Sequence, residues 1–435
     1  MLPSVAIVGR PNVGKSTLFN RIAGHRIAIT DETPGLTRDR LYAKAEWLTR
    51  PFHIIDTGGI DFGDAPFIHD VKAQAEIAIE EADVILFVVD FMTGVTDHDG
   101  DVAKILYKSD TPVLLAVNKV DDLDKKDYLY EFYALGLGEP YPISAAHGHG
   151  TGDLLDETIA RLPEAVPEPY SEDTIRLCLT GRPNVGKSSL MNALLGEERV
   201  IVSEIPGTTR DAVDSVFSKD EQEFVLIDTA GLRKRGKVYE RPEKFSVLRT
   251  IQAIERSDIA LFLVDAEEGI IEQDKKVAGY ALEAGKAVIV VVNKWDAVEK
   301  DSRTMNEWES RIRHHFKFLP DSPVIFLSAL TKARLNTLFP VIRDVYDNYS
   351  KEVPTSVLND VLSDALTANP PKSHNGGVFK AYYGTQTDTK PPTFILFVND
   401  AAYLHFSYER YLKNQIRQAF GFRGVPVKIQ LRKRD

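Results

Sequence analysis

The chain has 435 residues, 43% hydrophobic and 27% charged, a composition that suits a globular protein of about three domains at roughly 150 residues each. A net charge of −11 argues against uniform coating of nucleic acid, no apolar run approaches the roughly 20 residues of a membrane helix, and one cysteine excludes an internal disulfide. The N-terminus lacks a basic leader and a small-residue cleavage site, so the expected location is the cytoplasm, and Cys178, inside the apolar run Ile175 to Leu179, is expected to be a buried core thiol.

Ser4–Val8 is apolar and short, a buried strand. Gly9, Arg10, Pro11, Asn12, Val13, Gly14, Lys15 and Ser16 follow, and a helix is predicted from the Gly14-Lys15-Ser16 step, with Thr17 in its first turn. In that context Gly-x-x-x-x-Gly-Lys-Ser is a phosphate loop: its glycines let backbone N–H groups turn inward, and the helix points its positive end at the anion. Lys15 is expected at the β- and γ-phosphates and the Ser16 hydroxyl on Mg2+. Thr37, after the turn Thr33-Pro34-Gly35, is a candidate second hydroxyl for Mg2+, ordered by the γ-phosphate. Asp56 ends the predicted strand Phe52–Asp56, where a carboxylate can hold Mg2+ through water, and Gly59 can offer its N–H to the γ-phosphate.

Val71–Glu81 reads as an amphipathic helix, and Val84–Asp90 and Val113–Asn118 as buried strands. The second of these ends in Asn118-Lys119-Val120-Asp121. A carboxylate at Asp121 can accept both N1–H and N2–H2 of guanine. Adenine would leave that charge unpaired, a penalty that supports discrimination of order 10⁴. Asn118 suits the N7 side, the Lys119 stem can lie over the ring, and the backbone near Ala145 in Ser144-Ala145 can meet O6.

After the stiff acidic linker Pro163–Pro169 the pattern returns. Gly181, Arg182, Pro183, Asn184, Val185, Gly186, Lys187 and Ser188 repeat the octapeptide verbatim at an offset of 172, with Ser189 opening the helix. Thr209 and the Asp228-Thr229-Ala230-Gly231 segment recur at the same offset, and Thr208 is an alternative to Thr209. Asn293-Lys294-Trp295-Asp296 recurs at 175 and Ser328-Ala329 at 184. The second copy therefore assigns phosphate contact to Lys187 and Gly231, and Mg2+ to Ser188, Thr209 and Asp228. The strands predicted for it are Arg176–Thr180, Phe224–Asp228, Ile259–Asp265 and Ala287–Asn293. Alternating strands and helices in both copies imply mostly parallel sheets, an α/β fold. The fifth motif differs: Ser144-Ala145-Ala146-His147-Gly148 has a turn glycine and Ser328-Ala329-Leu330-Thr331-Lys332 has none, so the base is expected to be held differently in the second copy.

The C-terminal segment from Lys351 carries 12 Lys+Arg against 7 Asp+Glu, so an acidic body bears a basic tail. That is a pointer to RNA or another polyanion. Helix Thr355–Ala368, strands Phe379–Gln386 and Thr393–Asn399, helix Tyr408–Phe420 and strand Val425–Leu431 make a small α+β domain. The organisation predicted is a first GTPase domain at 1–162, a linker at 163–174, a second GTPase domain at 175–350 and the C-terminal domain at 351–435.

These five motifs, twice over and followed by α-β-β-α-β, resemble one bacterial family, the tandem-domain GTPases Der or EngA, of the translation-factor-like class. The resemblance covers the whole chain and implies two Ras-like P-loop domains and a KH-like C-terminal domain. It further implies GTP hydrolysis as a switch in assembly of the large (50S) ribosomal subunit, contact with its rRNA, and a monomer whose domains repack with nucleotide state. A mainly structural RNA-binding scaffold with one regulatory G domain is the alternative. A nucleotide kinase is disfavoured by the guanine motif, and a membrane-remodelling GTPase by the lack of a basic amphipathic anchor. Position +1 after the third motif is Ile60 or Leu232, where many GTPases have a water-orienting Gln. Related GTPases with an Asn three residues before the P-loop lysine are potassium-activated, so Asn12 and Asn184 are expected K+ ligands.

Gly421-Phe422-Arg423-Gly424 matches the G-x-x-G of RNA-clamping domains, but its place between helix and strand reads as a helix cap. Tyr382, Tyr383, Phe394 and Phe397 read as core strand residues rather than a stacking platform. His147 and His149 have no cysteine beside them and read as loop residues. The segment after the third motif is acidic in the first copy, Ile60 to Asp64, and basic in the second, Leu232 to Lys237, which suggests different partners for the two switches.

Overall fold

The computed structural model describes residues 2–24, 42–59, 67–121, 123–164, 170–171, 173–196, 201–206, 213–227 and 245–434. The chain forms two compact units, Met1–Pro169 and Tyr170–Asp435. Thr37, Ile60–Asp64, Thr208, Thr209, Asp228, Thr229, Gly231 and Leu232–Lys237 lie outside the described residues, as do 165–169 and 172 of the linker.

The first unit is built on a six-stranded sheet in the order Tyr42–Trp47, Arg50–Asp56, Ser4–Val8, Val84–Asp90, Val113–Asn118, Pro140–Pro142. Only the first pair is antiparallel. Val84–Asp90 is buried at every position, as a parallel strand covered on both faces must be. Ser4–Val8 lies between Arg50–Asp56 and Val84–Asp90. Its neighbours lead away in opposite directions, so its carboxyl end opens onto the crevice where doubly wound sheets bind ligands. The helix Lys15–Gly24 starts there and buries Leu18, Phe19, Ile22 and Ala23. Sequence patterning missed the edge strand Tyr42–Trp47, although Ala43, Ala45 and Trp47 alternate with Lys44 and Glu46 and pack on the core. It turns back through Leu48 and Thr49, both at positive φ, the two-residue turn whose twist matches a hairpin.

The second unit repeats this arrangement in a seven-stranded sheet, ordered Val324–Phe326, Ala287–Asn293, Ile259–Asp265, Ile175–Thr180, Gln222–Leu226, Val213–Lys219, Ile201–Pro206. The last strand is an addition. Ile201–Pro206 pairs antiparallel with Val213–Lys219, up to Pro206 opposite Val213. A proline at a strand end on the sheet edge costs no ladder bond.

Beyond the sheet, helix Thr355–Ala368, strands Ala381–Thr389 and Pro392–Val398, helix Phe406–Phe420 and strand Lys428–Lys433 form the C-terminal domain, together with the small hairpin Ser373–His374 and Gly377–Val378. The three longer strands pair in chain order, antiparallel then parallel. One hydrophobic core runs without a break from the second sheet, through Leu338, Ile342, Val345 and Tyr349, to Leu358, Leu396, Leu412 and Phe422. The Tyr349 hydroxyl donates to Gly285 O at 2.9 Å, Val288 N to Gly424 O at 2.9 Å, and Gly424 N to Asp321 O at 3.0 Å. Phe422 is wholly buried and Gly421 caps its helix at φ 72°, so the Gly421–Gly424 turn is a packing element. Cys178 is buried, with its thiol pushed up to about 12 by desolvation.

The aromatic residues divide. Phe394 is fully buried, but Tyr382 and Tyr383 are 48% and 44% exposed, which corrects their reading as core. A shift in strand register, invisible to strict alternation, turns them outward.

Candidate functional site

In the first copy the loop Gly9–Gly14 bends tightly against its neighbours. A Cβ at Gly9 would stand 2.3 Å from Val88 O, so only a glycine lets the loop approach that strand. Asn12 takes the left-handed region at φ 67°, and Asn184 matches it at 65°. Asn tolerates that conformation because its short polar side chain bonds locally, and both side chains are exposed. Lys15 is buried and its ammonium donates to Gly9 O at 2.6 Å and Arg10 O at 2.9 Å. Burial pulls its pKa down to about 8, against the opposing attraction of Asp56. Lys187 donates likewise to Gly181 O and Arg182 O, at 2.5 and 2.7 Å.

Ser16 Oγ donates to Asp56 Oδ2 at 2.8 Å, bringing hydroxyl and carboxylate together at the head of the phosphate loop. Two hard oxygen ligands in one place suit a small divalent cation that keeps several waters. Gly58 N donates to Asp56 Oδ1 at 2.9 Å, and Thr57 Oγ1 anchors this turn on Ile7 O at 2.6 Å. Gly59 closes it in a short 3-10 turn, which puts the third motif beside the lysine.

Asn118 is a strut. Its side-chain nitrogen donates to Val13 O at 2.7 Å, and its oxygen accepts from Ala145 N at 2.9 Å. Asn293 does the same with Val185 O at 2.8 Å and Ala329 N at 2.9 Å. Phosphate loop, base motif and Ser-Ala loop are thereby tied at one buried amide, whose second hydrogen can serve the base. Gly14 and Gly186, both at φ 96°, stand directly against it, and a Cβ at either would lie 2.2 Å from the strut nitrogen. The glycines are required here to admit a side chain, as well as to turn the loop.

Lys119 and Lys294 hold left-handed backbones at φ 69° and 59°, and their ammonium groups lie on Asp90 Oδ2 at 2.7 Å and Asp265 Oδ2 at 2.6 Å. Burial alone would raise both carboxyls, but the lysines together with backbone N–H donors outweigh it, so each sits below the usual carboxylate range. Sequence reasoning missed these strand-end aspartates. The only signal was that Val84–Asp90 and Ile259–Asp265 both stop on an acid. It also missed the buried pairs Arg10–Asp99 and Arg182–Asp274, each 3.3 Å, which brace the phosphate loops. Asp99 and Asp274 also accept the backbone N–H of Thr96 and Ile271 at a helix start.

The guanine carboxylates differ. Asp121 Oδ1 accepts from Ser144 Oγ at 2.7 Å, with His147 Nε2 at 3.9 Å. Among the described residues Asp296 receives no such bond, although Ser328 Oγ accepts from Thr331 N at 3.1 Å as Ser144 Oγ does from His147 N at 3.3 Å. The base loops nevertheless follow one path. Gly148 and Gly150, at φ 86° and 68°, correspond to Lys332 and Arg334 at 58° and 61°, so the second copy reproduces the turn with larger residues. Here the two copies differ in side chains and not in backbone path.

The family described as "50S ribosome-binding GTPase" matches residues 4–119 and 176–294, and that described as "KH-domain-like of EngA bacterial GTPase enzymes, C-terminal" matches 352–432. The GTPase Der of Bacillus mycoides (strain KBAB4) is 60% identical over 433 residues, covering 100% of this chain and 99% of its own. That of Geobacillus sp. (strain WCH70) is 61% identical over 432 residues, covering 99% of each.

Proposed function

We propose, from the premise that the chain belongs to the GTPase Der family and is a GTP hydrolase, that both sites turn over GTP and act as switches in assembly of the large (50S) ribosomal subunit. The observation that carries two working sites is the strut, Asn118 or Asn293, which joins three nucleotide motifs at matching distances in both copies. A decayed copy would have no reason to keep it.

In each site the phosphate-loop N–H groups and Lys15 or Lys187 cradle the phosphates, while Asp121 or Asp296 selects guanine. Mg2+ fits the Ser16–Asp56 oxygens, with Thr37 as a further ligand, and in the second copy falls to Ser188, Asp228 and Thr209. When bound it neutralises charge developing on the phosphates. Gly59 and Gly231 offer an N–H to the γ-phosphate. K+ held by Asn12 or Asn184 would supply the positive charge of an arginine finger, since Ile60 and Leu232 cannot orient a water. Equal turnover in Na+ and K+ would remove that assignment.

The ribosomal role draws on the family's description and on the basic C-terminal domain. On this reading the protein works in the cytoplasm, as a monomer. Among the described residues no helix is long and apolar enough to cross a membrane. The test is co-sedimentation with purified 30S and 50S subunits in GDP, GTP and a non-hydrolysable analogue. Binding to 50S in the GTP-like state is expected, and no binding in any state with nucleotide loaded overturns the role. Separate turnover assays of Lys15→Ala and Lys187→Ala show whether one domain is regulatory only.

A further inference from the structure

The three-stranded sheet of the C-terminal domain packs one face into the core through Phe394, Leu396 and Val398, all wholly buried. Its other face bears an arrangement that packing does not require. Ala381 pairs with Val398, but the next pair is Tyr383 with Phe397, so Tyr382 is an extra residue and the strand carries a β-bulge. A bulge lets consecutive side chains share one face. Both tyrosines accordingly stand about half exposed. The Tyr383 and Phe397 rings are stacked, with centroids 4.3 Å apart and planes 10° from parallel. On the far side of Phe397, Arg432 is its register partner, and Arg434 lies 5.0 Å over the Tyr382 ring.

The charge around these rings is uncompensated. Among the described residues Lys380, Arg432 and Arg434 are exposed and make no ion pair with a carboxylate. Exposed aromatic faces ringed by unpaired cations are what unpaired nucleotides demand: bases stack on rings, and phosphates lie against cations. A duplex hides its base faces and gains only the electrostatic part. The G-x-x-G turn offers no competing site, because Phe422 is buried and Gly424 is bonded on both sides to the second GTPase copy.

We propose that this open sheet face, centred on Tyr382, Tyr383 and Phe397 with Arg432 and Arg434, is a stacking platform for single-stranded RNA. The proposal deepens the ribosomal reading by naming the chemistry of the partner, and it is tested apart from that reading. Full-length protein is titrated into a fluorescently labelled single-stranded oligoribonucleotide of about 10 nucleotides, within the usual site size of such platforms, and into its duplex, with anisotropy as the readout. The single strand is expected to bind about tenfold more tightly than the duplex. The double variant Tyr382→Ala/Tyr383→Ala is expected to lose about tenfold or more, at one stacked base per ring. Tyr382→Phe/Tyr383→Phe, which keeps the rings, is expected to stay within about twofold. Arg432→Gln is expected to lower the slope of log affinity against log salt by about 0.7, one phosphate contact on a single strand. GTP turnover of each variant, expected unchanged, reports that the chain is folded.

Failure of wild-type protein to bind the oligonucleotide, or undiminished binding by the double alanine variant, overturns the platform. If the double variant keeps oligonucleotide affinity but loses the 50S subunit, the face docks a protein and the RNA assignment is likewise overturned. Retention of 50S binding by wild type in any of these cases leaves the ribosomal reading standing.

Discussion

Around the guanine carboxylate the two GTPase copies part company. In the first, Ser144 holds Asp121, and Arg21 reaches from the phosphate-loop helix to Ala145 O and Ala146 O. In the second, position 193 is Ala, Asp296 receives no serine bond among the described residues, and Lys332 reaches the other way, to Gly196 O at 3.1 Å. The loop backbone is common to both. The path is set by the asparagine strut and the strand register, and glycine is one way of accommodating it. The side chains decide how firmly the carboxylate is aimed. The first copy presents an Asp121 held by Ser144, the second an Asp296 that no side chain holds among the described residues.

Breaking the shared part should hurt both copies alike. Asn118→Ala and Asn293→Ala each remove a bond to the phosphate loop and strand the buried N–H of Ala145 or Ala329. At about 1–3 kcal/mol per stranded group, each variant is expected to weaken nucleotide binding at its own site by about a hundredfold or more. Fluorescent-GDP titration, with the other site silenced by Lys→Ala, reads one site at a time. A copy that tolerates the change is not held by its strut.

The loop glycines test the converse. Gly150→Ala places a Cβ 2.1 Å from Pro142 O at φ 68°, and is expected to destabilise the first unit by about 2–3 kcal/mol in urea unfolding. Arg334→Gly at the matching position relieves left-handed strain but loses the Arg334 Nε bond to Phe326 O. Its net effect is expected within about 1 kcal/mol.

Acidity acts on the phosphate side. Phosphate binds the protonated lysine, and in the free protein Lys15 deprotonates at about 8. First-site affinity is therefore expected to be flat below pH 8. Above it, affinity should fall about tenfold per unit until the higher pKa of the bound lysine is reached, each unit being about 1.4 kcal/mol. A flat profile from pH 7 to 9.5 would show that the burial of Lys15 is relieved in solution. The smallest effect separates the copies most cleanly. Ser144→Ala should cost the first site about tenfold or somewhat more in GDP affinity, one hydrogen bond to a charged group, and Ser328→Ala no more than about twofold at the second.

The nucleotide motifs were legible in sequence because phosphate and guanine fix residue types at short, local spacings, and the duplication printed each spacing twice. The central strands were legible because burial on both faces leaves unbroken apolar runs. Residues that act across the fold were not. Asn118 was assigned to the base from its motif, but its bonds to Val13 and Ala145 join segments more than 20 residues away on either side. Asp90 and Asp99 showed no motif, since their partners come from other elements. Tyr382 and Tyr383 were misplaced because one extra residue in a strand reverses the inference from alternation. Thr37, Thr209, Asp228 and Gly231 remain proposals on the strength of spacing alone.

The unbroken core across residue 350 bears on how this chain can be divided. A boundary drawn where the repeat ends would cut between Tyr349, wholly buried, and the wall of Leu358, Leu396 and Phe422 that continues the same core. Truncation there would strip apolar surface from the second GTPase copy, leave the Val288 N–H without its acceptor and deprive Asp321 O of its donor. The ancestral module that was duplicated is consequently no longer a separable part in its second copy. An expression plan that respects the protein's own seams would cut once, ahead of Tyr170, and keep everything after it together.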